Sequence, residues 1–504
     1  MSPVAMIIDS HKKEARRPVV RAVALDVLRG LAVLMMVFSG VIPFDQPLPR
    51  WMFHAQEPPV AEAGQVVHHF DPYLPGLTWV DLVFPLFLFA LGAAIPSALA
   101  RRMDQGLSLG RAGGMAARRL LLLGWFAIFL QHVRPYTLSA RPDTGTWLTA
   151  LLGFVLLFLM FTRLPPGWGR GRFWAMRGVG YGGAVALLAW LSVRQYPDGG
   201  GFRLDRSDII LIVLADTACF GTGLWLLTRR HLLGRLGALA LLLACHLASG
   251  LPGWVHQFWN YSPVPWLFQW DYLKYLFIVV PGTIAGDLLL DRQHDEAADA
   301  KQGSRTAPSR RRLAAFAVLT VIVTAATLAG LEGRWTGLTA AVVAVLGTAC
   351  VWLTARPVDA TGRLVHALAR WGLYWLVLGL VLEPFEGGIH KDPSTLSFYF
   401  VTSGLACVLL GALTVVTTTP GRHRGLGLLA EAGQNPMIAY VAMGNLLWPC
   451  FAFGQALFDR THLASLLDRA LPTPWLGVAY GALETFLLAL VVRFFTRRGV
   501  FWRT

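Results

Sequence analysis

Two groups of ionisable residues lie in or beside long apolar stretches of the chain, where charge is costly. Asp26 and Arg29 belong to the first such stretch, and their spacing of three places both side chains on one face of a helix. They could form a structural ion pair. Alternatively, because arginine offers a fork of donors that suits phosphate, they could bind an anionic cofactor. The sequence leaves both interpretations open.

The second group precedes the apolar run that begins at Trp79. His69 and Asp71 come shortly before it, while Thr78 and Asp81 have the spacing of a capping box at the start of a helix. A histidine can accept a proton from an amine or hydroxyl nucleophile near neutral pH. His69, Asp71 and Asp81 are therefore catalytic candidates. Ordinary surface histidines and a helix cap are the alternatives.

Metal and disulfide chemistry are not predicted. His54, His68, His69 and Asp71 could be assembled into a metal site, but their spacing matches no recognised ligand pattern, so we expect no metal. The five cysteines lie in apolar stretches and form no CxxC pair. Before the twelfth apolar run, a polar cluster contains Glu386 and Lys391, which we take as candidate substrate-binding residues.

The elements that must position these residues are transmembrane helices. Of 504 residues, 55% are apolar and only 14% are charged, whereas a soluble domain has roughly a quarter charged residues. The fold class predicted is all-α, a polytopic membrane bundle. Fourteen segments are long enough to span a bilayer. They are 22–43, 79–100, 118–134, 146–162, 178–193, 208–228, 234–250, 272–290, 313–331, 337–354, 366–383, 397–418, 433–454 and 475–495.

The basic residues predict the orientation of the bundle. With the N-terminus inside, Lys and Arg show a roughly threefold excess in the inner segments, as the positive-inside rule requires. Both termini are then cytoplasmic, in tails 1–21 and 496–504, around a single bundle at 22–495 with a cytoplasmic loop at 291–312. The net charge of +15 reflects this topology rather than nucleic-acid binding. Twelve spans remain an alternative, because removing two consecutive spans leaves the orientation of all the others unchanged.

Five blocks of sequence occur in an order that resembles a known family. They are LDVLRG from Leu25, GLTWVDLVFPLFLFALG from Gly76, STLSFYFVTSG from Ser394, GQNPMIAY from Gly433 and RRGVFWRT from Arg497. Together they resemble the heparan-alpha-glucosaminide N-acetyltransferase family of transmembrane acyltransferases, and in particular a bacterial branch of it. The resemblance implies a multi-pass protein of the bacterial inner membrane. Two hairpins, 208–250 and 313–354, look like insertions into the family core.

The resemblance also implies an activity. Members of that family transfer an acetyl group from cytoplasmic acetyl-CoA to an amino sugar across the membrane. The cofactor expected is acetyl-CoA, as acyl donor, bound near Asp26, Arg29, Ser39 and Asn435. The partners expected are the bilayer, acyl-CoA and an extracytoplasmic sugar or glycan. The oligomeric state stays open, with a homodimer among the alternatives.

The chain departs from the family at two candidate positions. The family has a histidine ten residues before the Asp of DLVFP, and this place holds Asp71 here, so the role is transferred to His69 with Asp71 as partner or substitute. The family also has an asparagine near the outer end of the first helix, and Ser39 is the nearest match.

Two other classes of function compete with acyl transfer. Fourteen spans with embedded acids such as Asp216 and Glu484 also suit a transporter or flippase of a sugar or lipid-linked substrate, although no inverted repeat is evident. A structural or assembly subunit is the third alternative.

Overall fold

The chain forms a bundle of α-helices with two very short sheets, as seen in a computed structural model that describes residues 22–163, 169–193, 196–302, 310–419, 425–458 and 474–504. This confirms the predicted all-α polytopic bundle. The predicted tail 1–21 lies outside the described residues. The predicted loop 291–312 begins as helix, because the helix that starts at Leu276 continues to Gln302.

The helices and strands of the described residues follow one another along the chain in this order. They are α1 (Val23–Ser39), β1 (Pro59–Glu62), β2 (Gln65–His68), α2 (Trp79–Asp104), α3 (Leu109–His132), α4 (Pro135–Leu138), α5 (Thr144–Phe161), β3 (Thr162–Arg163), α6 (Arg170–Ser192), α7 (Ile209–Thr228), α8 (Leu232–Ser249), α9 (Trp254–Asn260), α10 (Leu276–Gln302), α11 (Arg310–Glu332), α12 (Thr336–Thr354), α13 (Ala360–Phe385), α14 (Leu396–Thr418), α15 (Gly427–Gln434), α16 (Pro436–Ala442), α17 (Trp448–Phe458), α18 (Trp475–Arg497) and β4 (Phe501–Trp502).

Helices occupy all fourteen predicted spans, and twelve of those in the described residues are long and apolar enough to cross a membrane. The two that fall short are α1, which has 17 residues, and α6, which begins with a polar turn containing Arg170 and Arg172. The thirteenth span is interrupted. It begins at Pro436 and contains a π-helical segment, Met443–Leu447, between α16 and α17.

Small residues allow the central helices to touch through their backbones. A Cβ added to Gly30 of α1 would lie 1.8 Å from a carbonyl oxygen of α15, and one added to Gly433 of α15 would lie 1.8 Å from a carbonyl oxygen of α1. Gly92 of α2 and Gly282 of α10 meet in the same way, at 2.2 and 2.3 Å from the opposing carbonyls. In a membrane, where apolar burial does not drive helices together, such close packing is a main source of association.

Candidate functional site

The loop between α1 and α2 folds back over the beginning of α2. Its apolar residues Ile42, Leu48, Met52 and Phe53 are buried in a small core of their own, which packs against neighbouring side chains that include Phe38. This core brings residues 53–56 against the first turn of α2. The next part of the loop projects away as the antiparallel hairpin of β1 and β2, in which Pro59 pairs with His68.

Asp81 in the first turn of α2 is the centre of a buried polar site. Its side chain is only 2% exposed. One carboxylate oxygen, Oδ2, accepts hydrogen bonds from the backbone amides of Ala55 at 3.1 Å and Thr78 at 3.0 Å, which confirms the predicted capping box. The other oxygen, Oδ1, lies 2.6 Å from Nδ1 of His54. A carboxylate so placed holds the imidazole proton on Nδ1 and leaves Nε2 with a lone pair.

Lys391 completes this group, which we call the His–Asp–Lys cluster (His54, Asp81 and Lys391). Its Nζ lies 3.0 Å from Nδ1 and 3.2 Å from Nε2 of His54, and 3.9 Å from Oδ1 of Asp81. Burial lowers the pKa of the Lys391 amine, although the nearby carboxylates of Asp81, Glu57 and Asp392 oppose the shift. The His54 ring stays 30% exposed, so a substrate can reach it.

Buried Gln56 joins the two loops that form the cluster. Its Nε2 donates to the carbonyl of Asp392 at 2.6 Å, and its Oε1 accepts from the backbone amides of Lys391 at 3.2 Å and Asp392 at 2.9 Å. A single side chain therefore ties the segment after His54 to the segment between α13 and α14. This tie sets the position of Lys391 relative to the imidazole.

The structure does not bring His69 or Asp71 into this cluster. His69 lies just after β2 with its side chain 65% exposed, and its Nε2 is 3.0 Å from Oε1 of Glu62. Asp71 is exposed and accepts a hydrogen bond from the backbone amide of Tyr73. The hairpin accounts for part of the difference. It is inserted between His54 and α2, so counting ten residues back from Asp81 reaches Asp71, while the histidine beside Asp81 is 27 residues away.

Glu386 has a different environment from the one expected for a substrate ligand. Its two carboxylate oxygens accept hydrogen bonds from the backbone amides of Leu396 at 2.7 Å and Ser397 at 2.8 Å. These are the first residues of α14, where amides have no helical partner. Glu386 thus caps α14 from a neighbouring loop. A contact between Glu386 and substrate stays a prediction.

A large cavity lies among helices α1, α2, α3, α6 and α7. Its volume is about 1200 Å³. On α2 its lining residues include Phe87, Leu91, Ala94, Ala98 and Arg102, which recur every three or four residues and so form one face of the helix. Phe87 is six residues, or about 9 Å along the helix axis, from Asp81. The cavity therefore extends from the Arg102 end of α2 toward the end that contains the His–Asp–Lys cluster.

The cavity combines an apolar wall with a concentration of positive charge. No Asp or Glu in the described part of the chain lines it. The arginines that line it are Arg29, Arg102, Arg118, Arg119, Arg163, Arg177 and Arg503. We call it the arginine cavity. Such a surface suits an elongated ligand with several negative charges at one end and an uncharged remainder.

The predicted cofactor residues take three different positions. Arg29 lines the arginine cavity, and it also donates to the carbonyl of Gly433 at 3.2 Å and lies 3.4 Å from buried Asp26. Ser39 donates to the carbonyl of Met36 within the last turn of α1 and does not line the arginine cavity.

Asn435 acts on the cavity indirectly. Its side chain donates to the carbonyl of Val500 at 2.8 Å and accepts from the amide of Trp502 at 3.3 Å. These bonds, together with the pairing of β3 and β4, place the neighbouring Arg503 on the cavity wall. Among the described residues, no group of three or more His, Cys, Asp or Glu side chains could hold a metal ion.

Comparison with known proteins identifies the family of the chain. Residues 21–289, just over half of the sequence, match the family model described as a domain of unknown function, DUF5009. The chain belongs to this family. The matched region of this DUF5009 protein includes His54, Asp81 and most of the arginine cavity, but not Lys391 or Arg503. No curated protein matches the chain.

Reasoning from sequence alone missed His54 as the partner of Asp81. A local signal was available, because Val60 and Val66 flank Ala63 and Gly64 in a pattern that favours a hairpin with a two-residue turn. Both turn residues have positive φ, 49° and 81°. Discounting the hairpin from Pro59 to His68 would have shortened the separation of His54 and Asp81 by about ten residues.

Proposed function

We propose that this protein is an acyltransferase of the bacterial cytoplasmic membrane. It would transfer an acetyl or other acyl group from cytoplasmic acyl-CoA to an amino sugar or glycan on the opposite side. The observation that carries this proposal is the 2.6 Å contact between His54 and buried Asp81, with the imidazole still exposed on one side. The resemblance to transmembrane N-acetyltransferases supports the same reaction.

His54 is the general base in this proposal. Because Asp81 holds the proton on Nδ1, the lone pair on Nε2 can accept a proton from the acceptor amine once Nζ of Lys391, 3.2 Å away, turns to the substrate carbonyl. The amine nitrogen forms a bond to the thioester carbonyl carbon, and the carbon–sulfur bond breaks. The proton passes from Nε2 to the departing sulfur, which leaves as the free thiol of CoA. Atoms and charge are balanced without any further reactant.

Lys391 is the candidate donor to the oxyanion that forms on the carbonyl. Its Nζ is 3.2 Å from Nε2 of His54, so one reacting carbonyl could contact both groups. Gln56 holds the backbone of Lys391 in place on the loop before α14. Lys391, predicted as a substrate-binding residue, would therefore also stabilise the transition state.

The arginine cavity is the candidate site for the donor. Acyl-CoA has phosphates and a nucleotide at one end and a narrow, uncharged pantetheine arm at the other. The arginines would bind the phosphates, and the apolar wall along α2 would accommodate the arm. The charge bias of the loops supports a cytoplasmic location for these arginines, on the side where CoA is found.

The experiment compares two histidines in purified protein. Free-thiol release from acetyl-CoA is measured with a panel of amino sugars for His54→Ala and His69→Ala. Loss of a general base typically lowers kcat by about 10²–10⁴-fold, so we expect this loss in His54→Ala and less than a twofold change in His69→Ala. Equal activity in the two variants would contradict the assignment of His54. Absence of thiol release with every acceptor and acyl-CoA tested would contradict acyl transfer.

A transporter or flippase of a sugar or lipid-linked substrate is the second candidate. It is favoured by Asp216 in α7, a fully buried residue whose two carboxylate oxygens have no hydrogen-bond partner among the described residues. Unpaired acids inside spans are typical of proton and substrate pathways. Uptake of substrate by proteoliposomes without CoA, abolished by Asp216→Asn, would support transport over acyl transfer.

A further inference from the structure

A second cavity lies at the other end of the helices that line the arginine cavity. Its volume is about 410 Å³. Its lining residues include Gly40 after α1, Gln131 near the end of α3, and Arg134 and Thr137 beyond α3. Gly40 directly follows α1 and is eleven residues from Arg29, a distance of about 16 Å along the helix axis. We call this second space the distal cavity.

Two side chains, Met36 and Tyr440, line both cavities. They therefore form the wall between the two spaces. Met36 is an unbranched, flexible side chain that readily changes its rotamer. Tyr440 is the larger and more rigid member, and it is held by specific polar contacts. Whether the two cavities communicate therefore depends mainly on the position of the Tyr440 ring.

An ion pair between buried Asp208 and half-buried Arg134 holds Tyr440 in place. The Tyr440 hydroxyl donates to Oδ2 of Asp208 at 2.7 Å, and Nη2 of Arg134 donates to the same oxygen at 2.5 Å. The Arg134 guanidinium also lies 5.5 Å from the centre of the Tyr440 ring. Asp208 is 4% exposed and caps α7 through its other oxygen, which accepts from the amide of Leu211. Asp208 and Arg134 thus form an anchor that holds Tyr440 through its hydroxyl and through the guanidinium beside its ring.

The backbone beside Tyr440 is irregular. Tyr440 belongs to α16, which has seven residues, and the π-helical segment Met443–Leu447 follows directly. Such wide turns occur often at functional sites, because they loosen the regular hydrogen bonding of a helix. Within this segment, Asn445 is bound to the carbonyls of Val133 and Ala150. The segment after Tyr440 is thus anchored, while α16 itself is short.

We propose that Tyr440 is a movable partition, and that release of its hydroxyl from Asp208 joins the arginine cavity and the distal cavity into one passage. The passage would admit the uncharged end of an elongated ligand whose anionic end stays bound to the arginines. This inference goes beyond acyl transfer, because it concerns access through the bundle and requires no particular reaction. Its test therefore uses a readout that does not depend on activity.

The test measures from which membrane face each cavity can be labelled. In a chain whose native cysteines are replaced by serine, Ala98→Cys reports on the arginine cavity and Thr137→Cys on the distal cavity. An anionic, membrane-impermeant thiosulfonate is added to one face of oriented vesicles at a time. With Tyr440 present, we expect each cysteine to react from one face only, and the two faces to be opposite.

Tyr440→Ala should remove this sidedness, so that each cysteine reacts from its second face at least tenfold faster than before. Tyr440→Phe, which keeps the ring but loses the bond to Asp208, should give a smaller increase. Tyr181→Ala is the matched control, because Tyr181 lines only the arginine cavity. Size-exclusion elution of each variant reports folding. Unchanged sidedness in folded Tyr440→Ala, or equal loss of sidedness in Tyr181→Ala, would overturn the proposal.

Discussion

Replacing Asp81 by asparagine tests the His54–Asp81 pair with almost no change in shape. The carboxylate makes two kinds of contact, one through each oxygen: Oδ1 faces Nδ1 of His54, and Oδ2 accepts from the amides of Ala55 and Thr78. Asparagine has only one oxygen. If its oxygen faced His54, two buried amides would lose their acceptor, at a cost of about 1–3 kcal/mol each. We therefore expect the asparagine oxygen to take the Oδ2 position.

In that orientation the asparagine NH2 group faces Nδ1 of His54. Because this group only donates, Nδ1 must accept, and the imidazole proton moves to Nε2. The base then has no lone pair toward the substrate. In catalytic triads the same tautomer change lowers kcat by about 10⁴-fold, which corresponds to about 5.4 kcal/mol of activation free energy. Stability should fall by only about 1–2 kcal/mol, because the two backbone bonds to Asp81 survive.

The assay measures kcat for thiol release from acetyl-CoA together with the thermal midpoint of the detergent-solubilised protein. We expect a fall in kcat of about 10³–10⁴-fold in Asp81→Asn with a small shift in the midpoint. His69→Ala, just after the hairpin of β1 and β2, should retain activity. If Asp81→Asn kept kcat within threefold of the unmodified protein, Asp81 would not control the protonation of a catalytic His54, and the reasoning would be refuted.

Three further predictions concern packing, protonation and capping. Gly433→Ala should lower the free energy of unfolding by at least about 1–3 kcal/mol, because its Cβ would lie 1.8 Å from a carbonyl oxygen of α1. Thermal unfolding is the measurement, and Gly427→Ala is the control, because open space surrounds Gly427 in the same helix. Burial lowers the pKa of Lys391, so a larger fraction of its amine is neutral near pH 8. Amine reagents should therefore acylate Lys391 faster than Lys274, whose amine is paired at 2.7 Å with a carboxylate, and mass spectrometry measures both rates. Faster reaction at Lys274 would contradict this. Glu386→Gln keeps one acceptor for two helix amides and should cost about 1 kcal/mol in thermal unfolding, with little change in KM if Glu386 only caps α14.

The bundle could be predicted from the sequence because its cause is local. Each apolar run must satisfy its own backbone hydrogen bonds in lipid, so the run itself specifies a helix, and all fourteen runs are helical. The capping box of Thr78 and Asp81 was predictable for the same reason, since its partners are three residues apart. Arg29 was recognised by the cost of a charge within a span, and it lines the arginine cavity.

The composition of the candidate site was decided by tertiary structure alone. His54 contacts Asp81 although a hairpin separates them in the sequence, and Lys391 contacts His54 from a distant part of the sequence. Arg503 joins the cavity wall because buried Asn435 holds the tail. Hydropathy and local spacing carry no information on such pairs. They form because burial removes water from polar groups, and each group must then find a partner, even one hundreds of residues away along the chain.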